Sequence, residues 1–119
     1  MKRTYTLKRR AEQQAETRQR IVEAANDSGR PVVAHSSTGQ GMRNAIMGGV
    51  DTIEHGDEGT PEIWKLMVEK NVAFCPTVAA GDATAQYAGW KKGVDPEPAR
   101  IARKRVTFKA ALDAGVKMC

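Results

Sequence analysis

The stretch GRPVVAHSSTGQGMRNAIMGGVDTIEH, residues 29–55, decides the fold. Pro31-Val32-Val33-Ala34-His35 is a short apolar run with proline at its first position, the pattern of a buried strand. The turn Ser36-Ser37-Thr38-Gly39 offers helix caps, Met42, Ala45 and Ile46 mark one apolar helix face, and Gly48-Gly49 ends it. A second apolar run, Val50–His55, follows at once. A strand, a short helix and a second strand in so few residues make a crossover unit with parallel strands.

The same rhythm continues on both sides. Upstream, a long helix is expected from about Leu7 to Asp27, with Ala11, Ala15, Ile21, Val22 and Ala25 on its apolar face and Gly29 as its stop. Downstream, Thr60-Pro61-Glu62 is a helix start, Ile63, Leu66 and Met67 give the buried face, and Asn71 closes the helix before a strand over Val72–Val78. An irregular excursion, Ala79 to Val94, carries Tyr87 and Trp90. Asp95-Pro96-Glu97 then opens a last helix with Ile101, Phe108 and Leu112 inward and Arg100, Arg103, Lys104 and Arg105 on its solvated face; Val116–Cys119 begins another strand. The fold class is α/β. Similar helix-to-strand junctions favour a partial (β/α)8 TIM-type barrel, about half a barrel, preceded by a long N-terminal helix; a short open sheet is the alternative. Open sheet edges imply low stability and self-association.

With 119 residues, 40% of them apolar and 28% charged, the composition is that of one globular domain. No apolar run approaches the roughly 20 residues of a membrane span, and no apolar segment follows the basic N-terminus as a secretory signal requires. Two cysteines, Cys75 and Cys119, make no disulfide framework, so a cytoplasmic setting is expected and Cys75 reads as a small buried hydrophobe. Gly39-Gln40-Gly41 lacks the lysine and further glycine of a phosphate loop. The net charge of +5 is concentrated at one end, where Lys2, Arg3, Lys8, Arg9 and Arg10 occur without an acid. Such an arm is either a solvated terminus or a nonspecific, salt-sensitive nucleic-acid contact.

The two histidines, His35 and His55, close the two strands of the opening stretch. Side chains at the C-terminal ends of neighbouring barrel strands face a common mouth, and imidazole is a usual zinc ligand. The competing reading is that each ring makes a local hydrogen bond and binds nothing. Strand alternation points Glu54 away from His55, which favours a structural role. Tyr87 and Trp90 either line a substrate entrance or cap the rim.

The segments PVVAH, GGVDTIEHG and LMVEKNVAFCPTV, in this order, resemble the fifth, sixth and seventh strand units of the amidohydrolase superfamily. The imidazolonepropionase-like and Xaa-Pro dipeptidase-like branch is the most similar. The resemblance covers residues 20–119, with VKMC at the start of the eighth strand. It implies hydrolysis of amide, cyclic amide or dipeptide C–N bonds in small molecules, with His35 and His55 binding a divalent metal, zinc above all. The first-strand His-x-His pair and the fourth-strand bridging ligand of the family do not occur here, and the eighth-strand aspartate is expected just beyond Cys119. Asp113 precedes that strand and does not replace it. Weak metal binding and no turnover by these residues alone are therefore expected.

Residues 1–25, MKRTYTLKRRAEQQAETRQRIVEAA, are similar to the opening of tetracycline-repressor-type regulators, in which a basic arm precedes the first helix. The helix-turn-helix that would read a DNA sequence does not follow. The chain thus reads as a basic arm and helix of foreign origin joined to a partial barrel; a regulator fragment, or a fused product without a selected function, is the alternative reading.

Overall fold

The computed structural model describes residues 7–119. In chain order the elements are α1 (Leu7–Asp27), β1 (Val33–Ser36), α2 (Gly39–Gly48), β2 (Thr52–His55), α3 (Pro61–Lys70), β3 (Ala73–Cys75), α4 (Val78–Tyr87) and α5 (Ala99–Asp113). The three strands form one parallel sheet in the order β1-β2-β3. An isolated parallel bridge, Phe74 to Met118, sets the last residues beside β3. The expected alternation of strands and helices is present, as a short parallel sheet with helices between its strands.

Local chemistry explains the boundaries. The Thr38 hydroxyl accepts from Gly41 N–H to cap α2, and Thr60 caps α3 by accepting from Ile63 N–H, with Pro61 in the first turn. Gly49 and Asn71 stand in the left-handed region where these helices end. The core lies between the sheet and the helices: Ile53 and Phe74, adjacent in register, are fully buried, and Met42, Ile46, Ile63, Trp64 and Met67 close over them. The Trp64 and Phe74 rings pack with centroids 5.1 Å apart. On the other sheet face, Val33 is 49% exposed beside His35 and Glu54. No described helix is long and apolar enough to cross a membrane.

Several sequence expectations are corrected. The Ala79–Val94 excursion is helical in its first half, because alanines at 79, 80, 83 and 85 outweigh the cost of Gly81. In α1 only Val22 is buried and Ile21 is 59% exposed, because α1 packs on α2 and the sheet does not reach its first turns. In α5 the inward residues are Ile101, Lys104, Thr107 and Ala111, whereas Leu112 is 52% exposed. Close packing of α5 on α3 takes the small Ala111 side chain, which turns Lys104 inward. The cysteines are paired: the bridge at Phe74 and Met118 brings Cys75 and Cys119 side by side in a disulfide, with Cα atoms 5.1 Å apart. Cys75 is therefore not a free buried thiol.

Two glycine substitutions separate packing from helix propensity. A methyl group at Gly59 would overlap the Trp64 ring, so Gly59→Ala is expected to destabilise the chain by about 1–3 kcal/mol. Gly81 lies inside α4 with open space around it, and Gly81→Ala is expected to stabilise by about 0.5–1 kcal/mol. Urea unfolding of the two variants beside the parent chain measures both signs.

Candidate metal centre

His35 and His55 sit at the C-terminal ends of β1 and β2. In the register His35 lies opposite Glu54, and Ser36 lies opposite His55. Regular alternation would therefore put the two imidazoles on opposite faces of the sheet. The backbone prevents this. His55 has φ 77°, a left-handed conformation unusual for a residue with a Cβ, and its ring returns toward β1. His35 Nδ1 and His55 Nε2 lie 3.0 Å apart.

The strained turn is held from three sides. Lys104 Nζ, on α5, donates to the His55 carbonyl oxygen at 2.6 Å and meets Asp57 Oδ1 at 2.6 Å. The lysine is only 8% exposed, so its ammonium depends on these two acceptors. Thr77 Oγ1 lies 2.7 Å from His55 Nδ1. Thr77 is itself left-handed, at φ 52°, and makes no side-chain cap for α4, because its hydroxyl is engaged by the imidazole. Gly56 N–H donates to the Ser36 carbonyl and Glu58 N–H to that of Ser37, which ties the loops after β1 and β2 together.

These contacts select a tautomer. Glu54 Oε2 is 3.1 Å from His35 Nδ1, so that nitrogen carries a proton facing the carboxylate. His55 Nε2 then presents a lone pair to His35, and His55 Nδ1–H donates to Thr77. The His55 arrangement suits a metal ligand: Nδ1 is anchored by a hydroxyl, and the Nε2 lone pair faces His35. His35 needs only to move its proton to Nε2, which costs little for a side chain 74% exposed.

One ligand atom from each of His35, Glu54 and His55 falls within 4.8 Å of the others. In a tetrahedral zinc site with Zn–N near 2.0–2.1 Å, two nitrogens stand roughly 3.3–3.4 Å apart. The imidazole pair thus needs to open by only a few tenths of an ångström, and the donor set of two nitrogens and a carboxylate oxygen suits zinc. Alternation along β2 alone does not reveal Glu54, because its partner stands on β1. The parallel register that sets Glu54 opposite His35 identifies it.

Beside His55 a cavity of about 410 Å³ opens between the loops after β2 and β3 and the start of α5. Tyr87 is 96% exposed, and neither it nor Trp90 lines this cavity. Among the described residues the Trp90 indole nitrogen is buried without a hydrogen-bond partner. Lys8, Arg9 and Arg10 are exposed on the first turns of α1, and Lys2 and Arg3 lie outside the described residues.

No family model and no curated protein matches the chain. Solved structures do. A Xaa-Pro dipeptidase with methionine in its active site matches with TM-score 0.73 and 33% identity, over 88% of this chain and 27% of that one. A prolidase complexed with N-methylphosphonate-L-proline matches with TM-score 0.69 and 30% identity, over 87% and 26%. Ochratoxinase from A. niger matches with TM-score 0.74 and 28% identity, over 88% and 24%. The chain matches a segment of the amidohydrolase superfamily. This amidohydrolase segment spans only 24–27% of the length of these relatives.

Asp57 gives the amidohydrolase segment a pH-dependent brace. Burial disfavours its charged form, but hydrogen bonds from Lys104 and Ser37 and the lysine charge outweigh burial and hold the carboxyl below its ordinary value. A carboxyl lowered on folding contributes stability that is full above the unfolded value and fades as pH falls through the folded one. Lys104→Met is expected to cost about 1–3 kcal/mol at neutral pH and to flatten the decline in stability below about pH 4. Urea unfolding at pH 7 and along the acid limb measures both; an unchanged acid limb would show that Asp57 stands apart from the brace.

Proposed function

We propose that His35 and His55 are ligands of the metal centre of a hydrolase that acts on amide, cyclic amide or dipeptide C–N bonds. The observation that carries this reading is the convergence of two imidazole nitrogens to 3.0 Å at the ends of adjacent parallel strands. Its setting in a segment similar to prolidases and other amidohydrolases supports it. In this reading the sheet is part of a TIM-type barrel, and the face carrying Val33, His35 and Glu54 is turned toward the barrel interior. The exposed sheet edges would favour self-association of the 119-residue chain.

A divalent metal, when bound, polarises a carbonyl and lowers the pKa of water. The chain's own residues prepare the place for it. Thr77 fixes the His55 tautomer, Lys104 holds the backbone turn that aims the ring, and Glu54 orients His35 and supplies the nearest oxygen donor. The aspartate that the family resemblance places on an eighth strand is not among the 119 residues. In this reading the residues at hand would bind the metal, and turnover is proposed only with the family's remaining ligands in place.

Isothermal titration of the chain with zinc is expected to show one equivalent bound by the parent, loss of that binding in His35→Ala/His55→Ala, and a smaller weakening in Glu54→Gln. Thermal unfolding should move upward with zinc in the parent alone, because a ligand held only by the native state stabilises it. Equal zinc binding by parent and double-histidine variant would sink the assignment.

A further inference from the structure

We infer that the cavity beside His55 is an anion pocket that takes the free carboxylate of the substrate, through Arg100 and Arg103. The identification of that anion as a substrate carboxylate rests on the hydrolase reading above; the pocket itself rests on charge and placement. Of the groups lining the cavity, Arg100, Arg103 and Lys104 are cationic and Asp57 is the one carboxylate. Asp57 is already engaged by Lys104, whose remaining contact is the His55 carbonyl. The two arginines are thus left uncompensated.

Their neighbour on α5 provides the contrast. Arg105 points elsewhere and is held by both carboxylate oxygens of Glu97. Arg100 and Arg103 have no ion-pair partner among the described residues. At a spacing of three they occupy one side of α5, where like charges repel unless an anion lies between them. A guanidinium fork is suited to a carboxylate, which it can bind through two parallel hydrogen bonds.

His55 lines the same cavity as these arginines, with its carbonyl held by Lys104 of α5. A ligand with a carboxylate at α5 would therefore extend toward the proposed metal ligands. Val78 and Ile101 give the cavity apolar surface for the body of such a ligand. At about 410 Å³ the space falls within the ordinary range of small-molecule pockets, large enough for a dipeptide or an N-acyl amino acid.

The test is an amide-resolved NMR titration of the whole metal-free chain with glycyl-L-proline, glycyl-L-prolinamide and inorganic phosphate. Glycyl-L-proline is expected to bind at least about tenfold more tightly than the amide, since a charge-assisted pair is lost with the carboxylate. Shifts should centre on Thr77, Val78 and Ile101. The preference should vanish in Arg100→Gln/Arg103→Gln, whose exposed sites leave folding intact as the same spectra verify, and persist in Arg105→Gln. His35→Ala removes a proposed metal ligand outside the cavity and should leave the preference unchanged, so failure of the metal assignment is distinguishable from failure of the pocket. Equal binding of acid and amide, a preference that survives loss of both arginines, or phosphate binding as tight as the dipeptide would each overturn the inference.

Discussion

The bond from the buried Lys104 ammonium to the His55 carbonyl is the contact on which the site depends. A left-handed histidine costs on the order of 1–3 kcal/mol, and such a conformation persists only where its surroundings enforce it. Here the enforcement comes from a helix nearly fifty residues downstream, through a cation that has little access to water. Without that turn, alternation would send the His55 ring to the opposite face of the sheet from His35. The geometry of the two imidazoles is therefore a tertiary property, which neither β1 nor β2 specifies alone.

The same arrangement links electrostatics to shape. Lys104 spends its charge on Asp57 and on the His55 carbonyl, which leaves Arg100 and Arg103 as the uncompensated cations of the cavity. Thr77 does the corresponding work on the other side, giving its hydroxyl to the imidazole at the expense of capping α4. Strained residues and diverted capping groups gather around His55, while the ends of α2 and α3 follow ordinary capping rules. That difference sets the loops after β2 and β3 apart from the rest of the segment.

Much of the architecture was legible in the sequence because its signals are local. Thr60-Pro61 announces a helix start, Gly49 and Asn71 announce stops, and short apolar runs ending in His35 and His55 announce strands. What escaped the sequence depends on packing. The phase of α5 is set by Ala111 pressing into the core, so Lys104 faces inward although it looks like part of a solvated basic face. Glu54 meets His35 because parallel register pairs them, a relation between strands that a single strand does not display. The Cys75–Cys119 pair likewise depends on the bridge between Phe74 and Met118. The helix in Val78–Tyr87 was obscured by Gly81 and by the aromatic residues that follow it.

The convergence of the imidazoles is tested most directly by long-range nitrogen–proton NMR spectra of the two histidine rings in the metal-free chain at neutral pH. A ring held as described carries its proton on Nδ1, for His55 by donation to Thr77 and for His35 by donation toward Glu54 and His55. Spectra showing Nδ1–H on both rings agree with the account. Two rings protonated at Nε2, the form favoured by an unconstrained imidazole in water, would contradict it.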